Sequence, residues 1–221
     1  QEPTQEPAPE PTDMPAPTEL PAPTEPPAPQ AQQFYTEEFD EPLSGNWDTL
    51  TVTGSTDADP DKVTVEASNG KLVWDFDSKN VYYYLFYNAY TYDDVQISIR
   101  ADNRGRNNNN VSLICRYSDD GWYEFNIKND GYYYFNYLEA RNDGKVYVDT
   151  IYLDATTLVR QDANEYGLVC NGNTFSMYIN GEKVGQVNHS SLTSGKVGVE
   201  GFSLQVTPVN LHVEWVTISQ P

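Results

Sequence analysis

The chain has 221 residues and a formal net charge of −20 at pH 7, from 33 acidic and 13 basic side chains. This charge argues against nucleic acid as a partner, because phosphate groups would be repelled, and it is compatible with cations such as calcium. No apolar run approaches the roughly 20 residues that a membrane-spanning helix needs. No transmembrane segment is therefore expected.

The first 33 residues differ in composition from the rest of the chain. Eleven of the fifteen prolines lie in the first 29 residues, mixed with Glu, Thr, Ala and Gln. Such a segment buries too little apolar surface to offset the entropy of ordering, so residues 1–33 are predicted to form an extended spacer or arm. A Pro/Thr-rich spacer at the start of a processed chain is typical of export. We therefore expect an extracellular or cell-surface location.

Residues 34–221 are predicted to form one all-β domain. Apolar and polar residues alternate with a period of two, which is typical of strands with one buried face. Six Asn-Gly or Asp-Gly pairs separate these runs and favour tight hairpin turns; they begin at Asn69, Asp120, Asp130, Asp143, Asn171 and Asn180. About thirteen short strands joined by such turns predict an antiparallel two-sheet β-sandwich.

The two cysteines, Cys115 and Cys170, both lie in apolar runs. Neither has a second cysteine or a histidine at metal-ligand spacing. They could be two buried free thiols. We predict a disulfide, because export would place them in an oxidising compartment.

Six stretches between residues 34 and 221 follow one another in a characteristic order. They are FYTEEFDEPLSGNW at 34–47, NGKLVWDF at 69–76, CRYSDDGWYEFNIKNDGYYYF at 115–135, EYGLVCNGNTFSMYINGEKVGQV at 165–187, SGKVGVEGF at 194–202 and VEWVTISQP at 213–221. Together they resemble the concanavalin A-like jelly-roll domains of secreted bacterial proteins. Relatives of these domains include laminin-G-like domains, family-16 glycoside hydrolases and keto-disaccharide hydrolase domains. The resemblance implies a jelly roll whose concave face often meets carbohydrate, although one fold carries many activities.

The resemblance also provides a test for glycosidase chemistry. Family-16 glycosidases carry Glu-x-Asp-x-Glu on a central strand, so that one carboxylate attacks while another protonates the leaving oxygen. The nearest string here is Glu37-Glu38-Phe39-Asp40-Glu41, which departs in spacing and lies on the first strand. The sequence therefore favours a non-catalytic module, with an unrecognised sugar-active enzyme as a remaining alternative.

One predicted hairpin combines aromatic and polar side chains on a single face. Alternation separates Tyr123, Phe125 and Ile127, which are expected in the core, from the other face of the same strand. A ring that stacks on a sugar, with polar groups that bond its hydroxyls, is typical of carbohydrate sites. The predicted carbohydrate-binding residues are Trp122, Glu124, Asn126, Tyr132, Tyr134 and Arg116. Structural tyrosines on a wet sheet are the alternative interpretation.

Two groups of carboxylates are candidates for a structural Ca²⁺. Asp57, Asp59 and Asp61 have the alternating spacing of a calcium loop, although the glycine and distal glutamate of an EF-hand are missing. The resemblance implies a second place, between the first and last strands, where Asp40 and Glu214 stand.

The run YYYLFYNAYTY at 82–92 has seven aromatic residues in eleven positions. A strand that is aromatic on both faces lies inside the domain or faces a partner. We therefore keep a second function open, a subunit of an extracellular filament or tube whose N-terminal arm docks on a neighbouring copy. The first hypothesis remains a secreted or surface-displayed carbohydrate-binding or adhesion module.

Overall fold

The computed structural model describes residues 31–103 and 107–221, so nearly all of the predicted arm lies outside the described residues. Within these ranges the chain has fifteen strands, one short 3₁₀-helix and no α-helix. No helix among the described residues is long and apolar enough to cross a membrane. The all-β prediction is confirmed.

The strands are short to moderate in length. In chain order they are β1 (Tyr35–Glu37), β2 (Trp47–Thr53), β3 (Val63–Ser68), β4 (Lys71–Phe76), β5 (Val81–Tyr92), β6 (Val95–Asn103), β7 (Asn109–Ser118), β8 (Gly121–Lys128), β9 (Tyr132–Ala140), β10 (Val146–Ala155), β11 (Asn164–Asn171), β12 (Thr174–Ile179), β13 (Glu182–Asn188), β14 (Gly195–Ser203) and β15 (Val209–Ser219). The 3₁₀-helix spans Pro60–Lys62, between β2 and β3.

The described strands form two antiparallel sheets that pack into a jelly-roll sandwich. The eight-stranded sheet has the order β13-β12-β11-β6-β15-β4-β3, with β1 paired to β15. The seven-stranded sheet has the order β10-β9-β8-β7-β14-β5-β2. Neighbours such as β7 and β14 are distant in sequence, so the centre of this sheet depends on long-range pairing.

The core lies between the two sheets and is rich in aromatic rings. Tyr123, Phe125 and Ile127 of β8 are buried in it, as alternation predicted. The Tyr123 ring lies 4.3 Å from the Phe175 ring of the opposite sheet, measured between centroids. Burying a large apolar side chain contributes about 1.5–3 kcal/mol, so such cross-sheet contacts hold the layers together.

The predicted turns have the backbone geometry that their residues favour. The glycine of each of the six Asn-Gly and Asp-Gly pairs has a positive φ. At Asn69-Gly70 and Asn180-Gly181 both residues do, with φ of 54° and 74° and of 50° and 83°. Two successive positive φ angles define the type I′ turn, whose twist matches the flanking strands.

The disulfide prediction is confirmed. Cys115 of β7 and Cys170 of β11 are bonded, with 6.8 Å between their Cα atoms and a sequence separation of 55. Because β7 and β11 belong to different sheets, the bond links the two layers of the sandwich covalently.

The aromatic run on β5 has a different role on each face. Leu85 and Tyr87 point into the core, while Tyr84 and Phe86 belong to a separate apolar cluster on the other side of the sheet. Near the end of the strand, three tyrosine hydroxyls hold the first described residues. Tyr87, Tyr90 and Tyr92 donate to the carbonyl oxygens of Gln32, Ala31 and Gln33 at 2.7, 3.0 and 2.7 Å.

Candidate functional site

The face of the seven-stranded sheet that points away from the core, called here the outer face, carries most of the predicted carbohydrate-binding residues. Trp122, Glu124 and Asn126 of β8 lie on it, opposite in direction to Tyr123 and Phe125. Asn126 is paired with Tyr134 of β9, so Tyr134 shares the same face. Tyr132, two positions earlier on the same strand, is 48% exposed.

A polar network crosses the centre of the outer face. Ser112 of β7 lies between two glutamates, with its Oγ 3.0 Å from Glu124 Oε1 and 2.5 Å from Glu200 Oε2. Asn126 Nδ2 donates to Ser112 Oγ and to Glu124 Oε1, both at 3.0 Å. Asn110 Nδ2 in turn donates to Asn126 Oδ1 at 2.8 Å. All five side chains are buried, and Glu200 is completely so.

The hydrogen bonds of Ser112 require one of the two glutamates to be protonated. A hydroxyl has a single proton to donate, so Ser112 donates to one carboxylate and must accept from the other. Glu124 Oε1 already accepts a hydrogen bond from Asn126 Nδ2, and Trp122 Nε1 donates to Glu124 Oε2 at 3.4 Å. Glu200 Oε1 accepts no hydrogen bond of normal geometry from the described residues. Donor counting therefore assigns the proton to Glu200 and the negative charge to Glu124.

Burial explains why a carboxyl group stays protonated there. Burial raises the pKa of Glu200 well above its usual range, and the adjacent Glu124 raises it further. Burial also raises the pKa of Glu124, while hydrogen bonds from Asn126, Ser112 and Trp122 oppose that shift. The network thus holds a neutral acid and a carboxylate on either side of one hydroxyl.

Aromatic rings surround this polar network. Phe86 stacks on Tyr117 with 3.7 Å between ring centroids, and Trp122 lies 5.7 Å from Tyr117 and 5.9 Å from Tyr84. Gly198 of the neighbouring strand β14 is paired with Phe86. A Cβ atom at Gly198 would lie 2.6 Å from the Phe86 ring and 2.7 Å from the Leu85 carbonyl oxygen. The absence of a side chain at Gly198 therefore lets the Phe86 ring lie flat across β14.

One end of the outer face opens into a groove. Phe86 and Tyr117 contribute apolar surface to it, together with Leu50. Asp48, Asp119 and Lys196 contribute charged groups at the same place. Stacked rings beside charged hydrogen-bonding groups form a surface that suits the apolar faces and hydroxyl groups of a sugar.

The structure does not bring Arg116 to the outer face, which corrects the grouping predicted from alternation. Arg116 lies in a β-bulge between Cys115 and Ser118 with a φ of 57°, and a bulge shifts the direction of the side chains. Its guanidinium is buried and donates to the carbonyl oxygens of Asp93, Leu192 and Gly172. It also lies 5.0 Å from the Phe175 ring centroid. Arg116 thus joins three loops at one end of the sandwich.

Three of the five carboxylates proposed for calcium have protein partners. Asp57 pairs with Lys79 at 2.7 Å, and the pKa of Asp57 is lowered to about 2, chiefly by its hydrogen bond with Lys79. Asp59 caps the 3₁₀-helix by accepting the backbone N–H of Asp61. Glu214 pairs with Arg100 at 2.7 Å. In the described residues no three acidic, histidine or cysteine side chains are grouped to hold a metal ion, Asp40 included. Calcium binding stays a prediction.

Sequence reasoning missed Ser112 and Glu200, the residues that complete the polar network. Glu200 is paired with Ser112 on one side and Tyr84 on the other, at positions 88 and 116 residues away in sequence. The available signal was a single charged residue in the apolar stretch VGVEGF, on the face opposite to Val197 and Val199. A charge inside a buried strand is unusual unless it is paired.

Comparisons with known proteins identify the family of this chain. Residues 35–213 match the family model described as 3-keto-alpha-glucoside-1,2-lyase-like domain. No curated protein matches the chain significantly.

Solved structures with the same fold include enzymes and a binding module. A Bacillus licheniformis β-glucanase has a TM-score of 0.61 and 16% identity, over 87% of this chain and 100% of that chain. A Bacteroides ovatus GH16 protein in complex with a G4G4G3G product has a TM-score of 0.61 and 12% identity, over 84% of this chain and 99% of that chain. The Bacillus subtilis carbohydrate binding module CBM66 has a TM-score of 0.51 and 12% identity, over 79% of this chain and 96% of that chain. At these identities the likeness shows the fold.

Proposed function

Because the chain belongs to the 3-keto-alpha-glucoside-1,2-lyase-like domain family, we propose that it is a secreted or surface-displayed carbohydrate-binding module whose site is the outer face of the seven-stranded sheet. The observation that carries the proposal is the groove where the Phe86–Tyr117 stack meets Asp48, Asp119 and Lys196. The interlayer disulfide supports an oxidising location.

The groove has the two kinds of group that sugar recognition needs. Leu50 and Tyr117 offer apolar surface for the C–H groups of a pyranose, and the three charged side chains offer donors and acceptors for hydroxyls. Phe86 is only 2% exposed and supports the Tyr117 ring from its stacked face. Tyr117 is only partly buried, so its ring is accessible to a ligand. Trp122 contacts the Tyr117 ring, with 5.7 Å between the ring centroids. The acidic chain favours neutral over acidic sugars.

The test is glycan binding by the full chain and by two matched tyrosine variants. Tyr117→Ala removes the exposed ring of the groove, whereas Tyr147→Ala removes a 40% exposed tyrosine from β10, at the opposite edge of the same sheet. We expect Tyr117→Ala to weaken binding on a glycan array and in titration calorimetry by about 1–3 kcal/mol, the range of an aromatic anchor. Tyr147→Ala should leave glycan binding unchanged, because Tyr147 lines neither this groove nor the one on the eight-stranded sheet. Equal affinity of wild type and Tyr117→Ala for every bound glycan would refute this site.

A second candidate function is acid–base chemistry on a bound sugar, favoured by the Glu200–Ser112–Glu124 arrangement. Glu124 carries the charge and is the candidate base, while Ser112 can pass a proton between the two glutamates. Because Glu124 is only 4% exposed, this chemistry requires the surrounding rings to move aside before a sugar can reach the carboxylate. Mass spectrometry of glycosides incubated with the protein tests this candidate. Product formation that Glu124→Gln abolishes would support it, whereas unchanged glycosides would leave binding as the function.

A third candidate is self-association, favoured by the edge strand β10. This strand pairs with β9 and ends the described seven-stranded sheet. Val146, Val148 and Leu153 on it are 47%, 60% and 56% exposed. A long edge strand with apolar side chains is a template for pairing with another chain.

Analytical ultracentrifugation over a range of concentrations tests this third candidate. Val148→Lys places a charge on the edge and should shift an oligomer towards the monomer. Val206→Lys changes a valine of similar exposure in a loop and serves as the control. A wild-type chain that sediments as a monomer at every concentration would exclude association through β10.

A further inference from the structure

The eight-stranded sheet carries a groove of its own on the face that points away from the core. Tyr178 of β12 and Trp215 of β15 line it, with Gln96 and Ser98 of β6 between those strands in the sheet order. All four side chains are half-buried, so the groove is open to solvent. This groove lies on the other sheet from Tyr117 and Glu124, and it shares no lining residue with the groove at Tyr117.

Gly167 of β11 forms the floor of this groove. The strand pairing aligns Gly167 with Ser98 on one side and with Tyr178 on the other. A Cβ atom at Gly167 would lie 3.5 Å from Ser98 Oγ and 3.5 Å from Tyr178 Cβ, which are ordinary contacts. Crowding around the Cβ position therefore does not explain why this residue is a glycine. Its missing side chain leaves the sheet surface open between Tyr178 and Ser98.

The polar groups around the floor are fixed by bonds to one another. Gln96 Nε2 donates to Ser98 Oγ at 3.3 Å. At the other end, Arg100 pairs with Glu165 at 3.1 Å and with Glu214 at 2.7 Å. The guanidinium thus holds both carboxylates in place before any ligand binds. Positioned amide, hydroxyl and carboxylate groups beside two aromatic rings can bond the hydroxyls of a sugar while the rings contact its C–H faces.

We propose that this groove is a second carbohydrate site, for a neutral saccharide that stacks on Trp215 and Tyr178 and lies across Gly167. It goes beyond the proposed site on the outer face of the seven-stranded sheet and does not depend on it. Two sites on opposite sheets would let one chain contact two glycan strands or two segments of one strand. The two glutamates beside one arginine disfavour anionic sugars at this groove.

The tryptophans of the chain provide a specific probe. Trp47, Trp74 and Trp122 are each no more than 7% exposed, whereas Trp215 is half-buried. Acrylamide quenching of the full chain should therefore report mainly on Trp215. Soluble neutral polysaccharides, beginning with mixed-linkage β-glucan, are added to the wild type, and the quenching constant is measured at each concentration.

We expect at least one neutral polysaccharide to reduce the quenching of the wild type. Trp215→Ala removes the fluorescent reporter, so its binding is measured by titration calorimetry, where the affinity should fall on the order of tenfold, as for other aromatic anchors. Gly167→Val should abolish the protection by filling the floor, with the fold checked by circular dichroism. Tyr117→Ala should leave the protection intact, which separates this groove from the first site. The absence of protection by every neutral polysaccharide, or protection that survives Gly167→Val, would overturn the proposal.

Discussion

Glu200 gives the sharpest prediction at the scale of single residues. Its folded-state pKa lies well above that of the unfolded chain because of burial and the adjacent Glu124. The folded chain therefore binds the proton more tightly, and this contribution to the free energy of unfolding is lost as the pH rises from the unfolded pKa, about 4.3, through the folded pKa. Each pKa unit of difference corresponds to about 1.4 kcal/mol.

Glu200→Gln should consequently stabilise the protein at pH 8 and have little benefit at pH 4.5. The amide keeps the shape of the protonated acid and cannot ionise. We expect the Tm at pH 8 to rise by roughly 3–5 °C for each pKa unit relieved. Thermal unfolding followed by circular dichroism at both pH values measures it. Glu182→Gln, an exposed residue, controls for the loss of one charge from the acidic chain. A Tm change independent of pH would contradict the assignment of the proton.

The predictability of the site also depends on single residues. Alternation correctly placed Trp122, Glu124 and Asn126 on one face, because the period of a strand is two. It failed for Arg116, since the bulge beside Cys115 interrupts the period and the partner carbonyls come from distant loops. Glu200 was missed for a related reason. Its neighbours depend on the register between β14, β7 and β5, which a local pattern does not contain.

At the scale of elements, the close approach of β14 and β5 predicts that Gly198 cannot be replaced. Gly198→Ala would bring a methyl group against the Phe86 ring and the Leu85 carbonyl oxygen. We expect the substitution to lower the free energy of unfolding by about 1–3 kcal/mol, as overpacking does, and to displace Phe86 from Tyr117. Urea denaturation measures the first effect and glycan affinity the second.

Gly167→Ala is the matched control for that prediction. It also adds a methyl group to a glycine inside a strand, but at ordinary contact distances. A shared loss of stability in both variants would show that the effect belongs to strand glycines in general and not to the packing of Phe86.

The strands themselves were largely predictable, and their arrangement was not. The six Asn-Gly and Asp-Gly pairs placed hairpin turns correctly, since their backbone preference is local. The pairing of β6 with β15 joins residues more than 100 positions apart. The resemblance to the jelly-roll superfamily predicted two antiparallel sheets, but it did not specify this pairing.

At the scale of the whole molecule, we expect the disulfide to contribute a large share of the free energy of unfolding. The bond closes a loop between positions 55 apart, and loop-entropy models suggest roughly 4 kcal/mol for such a loop. The double variant Cys115→Ala/Cys170→Ala should therefore melt about 10 °C lower than the wild type. Scanning calorimetry without reductant measures this difference. Reduced wild type should resemble the variant, and an unchanged Tm in both would show that packing alone holds the sheets together.

The three tyrosine hydroxyls on β5 also decide how a mechanical load would enter the domain. They hold the carbonyl oxygens of Ala31, Gln32 and Gln33, just ahead of β1. Tension applied at Ala31 reaches these three bonds first, and only afterwards the pairing of β1 with β15. Since Tyr87 lies in the core and β1 pairs with the other sheet, the pull is divided between both layers of the sandwich from its first point of attachment.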